Sequence, residues 1–191
     1  MLKRGSICLL VLAAAGLFAA TVAAAPATSE FGNGKWAPHS GNNSQFGFVT
    51  SSDETGTFGG FSIADFPSDP DDVDALSFDY NSSVNGASGG SPRLVVQFDD
   101  GDAVLRPLTL SADTWATIDG MTGNNWDSRG GTCGFRFAAS WDDVVACHTG
   151  ATITGVWVVN DSGWLYPDGI TVTFDNVTVN DEVASGPGNA D

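Results

Sequence analysis

Beyond residue 25 the chain never holds apolar residues on one helical face for three turns. It alternates instead, in short runs rich in β-branched and aromatic residues that Gly, Pro, Asn and Asp interrupt. A side-chain period of two sends successive residues to opposite faces of a strand, so this pattern specifies strands that close over a shared apolar interior. The candidate strands are residues 45–50, 57–63, 75–80, 93–98, 103–108, 114–118, 134–138, 152–160 and 169–179. Eight or nine strands predict an all-β fold, a two-sheet antiparallel β-sandwich.

The phase of the alternation says more. In 75–80, Leu76, Phe78 and Tyr80 take one face and Ser77 and Asp79 the other, so that strand has a wet side. In 152–160, Ile153, Trp157 and Val159 share a face opposite Val156 and Val158, which predicts a central strand covered on both sides. Along 169–179 the apolar residues move from even positions (Ile170, Val172, Phe174) to odd ones (Val177, Val179). A slip of one residue would turn the apolar set outward, so a bulge or bend is expected at Asp175-Asn176. Asp99-Asp100-Gly101-Asp102, between two alternating runs, reads as a tight hairpin turn, because a calcium loop would also need a distal Glu. One short helix is expected at 141–147, capped by Ser140 with Asp143 three residues on.

Residues 1–24 read as a secretory signal peptide: Lys3 and Arg4 start it, an apolar stretch follows, and small residues end it. About 165 residues remain, enough for one domain with its own core. The sandwich domain is placed at 25–180, and 181–191, which has no apolar run, is expected to be a disordered tail. Cys133 and Cys147 are expected to pair as a disulfide in an exported chain. Metal ligation with His148 is the rival reading, and it lacks a fourth ligand at suitable spacing. Removing the leader leaves five Lys and Arg against 23 Asp and Glu, a net charge of −18 that repels nucleic acid and anionic lipid. The expected product is a secreted, acidic monomer with no membrane segment after signal cleavage.

Glu30-Phe31 near the start, a sandwich of short strands, and the closing run Thr173-Phe174-Asp175-Asn176-Val177-Thr178-Val179 together resemble galactose-binding-like jelly rolls, a group that includes many carbohydrate-binding modules. The resemblance implies a jelly-roll topology, a non-catalytic module with an extracellular glycan or surface partner, and a structural calcium. In that likeness Asp175 matches the closing Asp of the group and Glu30 is a candidate metal partner. Read from the residues alone, Asp175 is equally a solvent-facing side chain beside a bulge.

The candidate ligand-binding residues are aromatic with polar neighbours. Trp126 lies in a Gly- and Asn-rich run where it is either an exposed plate for a sugar face, with Asn125, Asp127 and Arg129 orienting hydroxyls, or a lid folded over the sandwich end. Trp164 and Tyr166, between the last two long strands, carry the same two readings. Trp115 and Trp157 fall within strands and read as core. No catalytic residue is assigned: there are two histidines, no nucleophile elbow and no paired-histidine zinc motif, and His148 reads as a cation capping a helix end. A glycosidase using two Asp carboxylates and a structural or adhesive surface protein stand as the alternatives.

Overall fold

The computed structural model describes residues 28–38, 45–51, 58–161, 166 and 168–184. Residues 1–24, read as a signal peptide, Trp164, and residues 185–191 of the expected tail lie outside them. The strands are β1 (Thr28–Gly32), β2 (Gly34–Pro38), β3 (Gln45–Ser51), β4 (Phe58–Ile63), β5 (Leu76–Ser82), β6 (Gly86–Ala87), β7 (Arg93–Phe98) and β8 (Gly101–Leu105). They continue with β9 (Thr109–Leu110), β10 (Trp115–Asp119), β11 (Trp126–Gly130), β12 (Gly134–Ala139), β13 (Ile153–Asp161), β14 (Ile170–Val179) and β15 (Glu182–Val183). A 3₁₀ turn spans Pro70–Asp72, and α1 spans Trp141–Cys147.

One sheet has seven strands in the order β1-β4-β13-β7-β8-β11-β12; the other runs β10-β5-β14-β3-β2, with β15 added to β14. Every ladder is antiparallel, so the fold is the expected sandwich. Phe61, Leu94, Val96, Leu105, Val156 and Val158 of the first sheet are buried with Phe78, Val172 and Phe174 of the second. Phe174 ties the layers together, meeting Phe61 edge-on at 6.4 Å and Phe78 at 5.7 Å.

Two register shifts decide which residues of β13 and β14 face the core. Opposite β5, the β14 register shifts between Asp175 and Thr178, and Asn176 takes φ +46°. The inserted residue restores the parity, so Ile170, Val172, Phe174, Val177 and Val179 all enter one core, as expected from the slip in the pattern. The second bulge is a correction. β13 is central, between β4 and β7, but its register against β7 shifts between Ile153 and Gly155. Ile153 therefore joins Val156 and Val158 inside, while Trp157 and Val159 stand on the outer face in a separate small cluster. A period of two, read through an unseen bulge, puts Ile153 on the wrong side.

Helix α1 forms where its cap predicts it. The Ser140 N–H donates to Asp143 Oδ2 and the Asp143 N–H donates to Ser140 Oγ, both at 3.2 Å, and Cys147 closes the helix in a disulfide to Cys133. Backbone and hydroxyl hydrogen bonds from Ser140, with a contribution from Arg136, hold the Asp143 carboxyl below the usual carboxylate range. A carboxylate whose folded value lies below its unfolded one adds stability above the unfolded value and loses it as pH falls through the folded one. The cap is therefore complete at neutral pH and weakens in acid. Melting curves across the acid range will show a shallower pH dependence for Asp143→Asn than for the parent chain, and superposable acid limbs would refute the assignment.

The domain also runs further than expected. β15 pairs Val183 with Thr178, and Ala184 is buried with its N–H on the Val177 carbonyl, so the fold reaches Ala184 rather than ending at 180.

Candidate functional site

Strand β11 occupies what the sequence presents as a loop, and its alternation decides the site. Trp126 and Ser128 point between the sheets, whereas Asp127 and Arg129 point outward. The cross-strand pairs extend that outer face: Trp157, Val95, Val104 and Asp127 form one row across β13, β7, β8 and β11. Gln97, Asp102, Arg129 and Phe135 form the next row, from β7 to β12. A groove of about 500 Å³ lies along these rows.

Its floor is apolar, made by Val95, Val104 and Val159 with Phe31 and Trp157 packed on them. The Trp157 indole lies along its own strand, so close to Gly155 that a Cβ there would stand 3.0 Å from the ring. Three ion pairs flank the floor: Arg93 with Asp161 at 2.7 Å, Arg106 with Asp127 at 2.8 Å, and Arg129 with Asp102 at 3.9 Å. The first is braced by Ser91, whose hydroxyl donates to Asp161 and accepts from Arg93, and by the Gly90 carbonyl. Beyond Lys3, Arg4 and Lys35 the chain has four Lys or Arg residues, Arg93, Arg106, Arg129 and Arg136, and three of them line this one groove. Each is matched there by an Asp.

Asp127 and Arg129 both line this groove, but Trp126 is a correction. Its ring is fully buried, its Nε1–H donates to the Gly120 carbonyl at 2.7 Å, and it packs on Trp141 at 5.0 Å. It is neither plate nor lid. Asn125 accepts a hydrogen bond from the Arg106 N–H at its backbone carbonyl and does not line the groove. The Tyr166 hydroxyl donates to the Ala87 carbonyl at 2.5 Å, anchoring the loop before β7. Trp115, read as core, is exposed on the edge strand β10. Arg93, Asp102, Arg106, Asp161 and Trp157 escape sequence reasoning because only the register places them side by side.

A second constellation lies behind β11. Ser128 Oγ is 3.1 Å from His148 Nε2, and His148 Nδ1 is 2.5 Å from Asp100 Oδ1. Serine, histidine and aspartate in this order are the groups of a nucleophilic triad. Ser128 and His148 are fully buried, however, and Phe98 stacks on the imidazole at 4.1 Å. A nucleophile must reach its substrate, and here the hydroxyl faces the core. The arrangement instead ties the β7–β8 turn to β11 and to the end of α1, so His148 is an internal hydrogen-bond hub as well as the residue that ends the helix. Asp99 also serves this turn, accepting from the Thr152 N–H at 3.2 Å.

The residues proposed for calcium stand on different sheets. Glu30 stands opposite Phe61 at the edge of the seven-stranded sheet and accepts from the Trp36 N–H at 2.5 Å. Asp175 stands opposite Asp79 within the other sheet and accepts from the Asn176 N–H at 2.8 Å. Among the described residues no group of three or more His, Cys, Asp and Glu is placed to hold a metal ion.

No protein-family model matches the chain, and no curated protein matches it in sequence. A solved structure is similar to it. It is the family 11 carbohydrate-binding module of the cellulosomal cellulase Lic26A-Cel5E of Clostridium thermocellum, with a TM-score of 0.46 and 12% identity over 90% of this chain and 94% of that one.

Proposed function

We propose that this chain is a secreted, non-catalytic module that holds an uncharged carbohydrate in the outer groove of the seven-stranded sheet. The observation that carries the reading is the composition of the groove, an apolar floor with an indole laid on it, bordered by three Arg–Asp pairs. A sugar presents apolar ring faces and, around its rim, hydroxyls that both donate and accept. An ion pair offers donors and acceptors side by side, and a flat aromatic ring offers a stacking surface, so both halves of the ligand are met. The matched charges in the groove and the −16 charge of the whole chain oppose anionic polymers. Secretion is supported by the leader-like start and by the Cys133–Cys147 bond, which persists in oxidising compartments.

Affinity electrophoresis through gels containing neutral polysaccharides tests this. At least one of a panel of glucans, mannans and xylans will retard the protein, polygalacturonate will not, and Trp157→Ala will lose the retardation at an unchanged melting midpoint. Gly155→Ala will weaken it too, because the new methyl group displaces the indole. Free migration of the parent chain through every neutral gel would overturn the reading.

A further inference from the structure

We infer that the groove continues onto the edge strand β12, where Phe135, Phe137, Arg129 and Asp102 form a second sugar subsite, so that the ligand is a chain of several uncharged sugar rings. The inference rests on the groove reading and names where along the groove the ligand is held and how long it is.

The three ion pairs are not equivalent. Arg93–Asp161 and Arg106–Asp127 are closed, at 2.7 and 2.8 Å, with arginine side chains about a quarter exposed. Arg129–Asp102 is open at 3.9 Å, and the Arg129 side chain is 54% exposed. Asp102 Oδ1 is buried without a hydrogen-bond partner. A buried carboxylate oxygen lacking a donor is costly, and it is relieved by a group that brings one. The Asp102 side chain as a whole is 36% exposed, so a ligand hydroxyl that donates to its carboxylate, beside another that accepts from Arg129, completes this pair.

The stacking surface is one strand further on. Phe135 pairs with Arg129 across β11 and β12, which puts its ring on the groove face, and the guanidinium lies 5.6 Å from the ring centroid. Phe137 stands beside it, the two rings 4.3 Å apart, and they are 52% and 65% exposed. Two adjoining phenyl rings in water form an apolar shelf beside Arg129 of the groove, and β12 ends the sheet among the described residues. The edge is also unsuited to strand addition. The β11–β12 register shifts between Trp126 and Ser128, with Ala138 at φ +52°, and a bulge of this kind turns an edge away from a partner strand. Trp157 on β13 and the shelf on β12 are four strands apart, about 19 Å at ~4.8 Å per strand. One sugar ring cannot touch both.

Calorimetric titration with a disaccharide and a hexasaccharide of the polysaccharide that retards the protein decides it. The hexasaccharide will bind the parent chain at least tenfold more tightly than the disaccharide. Phe135→Ala/Phe137→Ala, two exposed positions that the fold tolerates, will abolish that difference, and Asp102→Ala will reduce it. Parental hexasaccharide affinity in the double variant, with loss in Trp157→Ala, would overturn this inference and leave the groove reading standing. A parent chain that binds neither ligand would overturn both. Sedimentation will show a monomer; a dimer that only the double variant dissolves, with glycan affinity intact, would assign the shelf to a second copy of the chain and overturn the inference.

Discussion

Trp126→Ala lowers the unfolding free energy by about 3–5 kcal/mol, the range for deleting a large aromatic ring from a packed core. The ring is fully buried against Trp141, and a Cβ on Gly120 would stand 2.9 Å from its edge, so its neighbours cannot close the space without moving the turn before β11. The substitution also leaves the Gly120 carbonyl without the indole N–H that serves it at 2.7 Å. Trp126→Phe separates the two parts: it keeps most of the packing and loses the hydrogen bond, at about 1–2 kcal/mol. Urea unfolding followed by circular dichroism measures both. A loss below about 1 kcal/mol for the alanine variant would mean that the ring is not in the core, since surface substitutions rarely exceed about half that value. Because the indole does not face the groove, glycan affinity of the folded fraction stays at the parental value.

The second large effect is at His148. His148→Ala costs about 2–4 kcal/mol, from the volume of a fully buried ring and the loss of its hydrogen bonds to a buried hydroxyl and a carboxylate. Ser128→Ala removes one end of the same chain of contacts and costs less, about 1 kcal/mol. A fluorophosphonate, which labels accessible activated serines, will leave the folded protein unmodified. Rapid labelling at Ser128 would show that the hydroxyl is reachable and that the Ser128, His148 and Asp100 alignment is a catalytic device after all.

These two residues also show what the sequence can and cannot disclose. The strands, the short helix with its Ser140 and Asp143 cap, the disulfide and the bulge at Asp175-Asn176 are local features, written in alternation, capping chemistry and parity. Trp126-Asp127-Ser128-Arg129 alternates too, inward and outward, but its outward side chains are charged and line the groove, and the surrounding Gly and Asn disguise the strand as a loop. The site residues are long-range products of register. Arg93 meets Asp161, Arg106 meets Asp127, and Asp100 meets His148 only after strands far apart in sequence are aligned. Trp157 is the sharpest case. Within an apolar strand it reads as core, yet the shift at Ile153/Gly155 and the position of β13 in the sheet place it on the open face.

The most direct measurement follows the tryptophan indole N–H signals by nuclear magnetic resonance during titration with the neutral polysaccharides of the proposed panel. The account predicts that the Trp157 signal moves with ligand while those of Trp126 and Trp141 stay fixed. Saturable binding with Trp157 unmoved would place the ligand elsewhere on the molecule and contradict it.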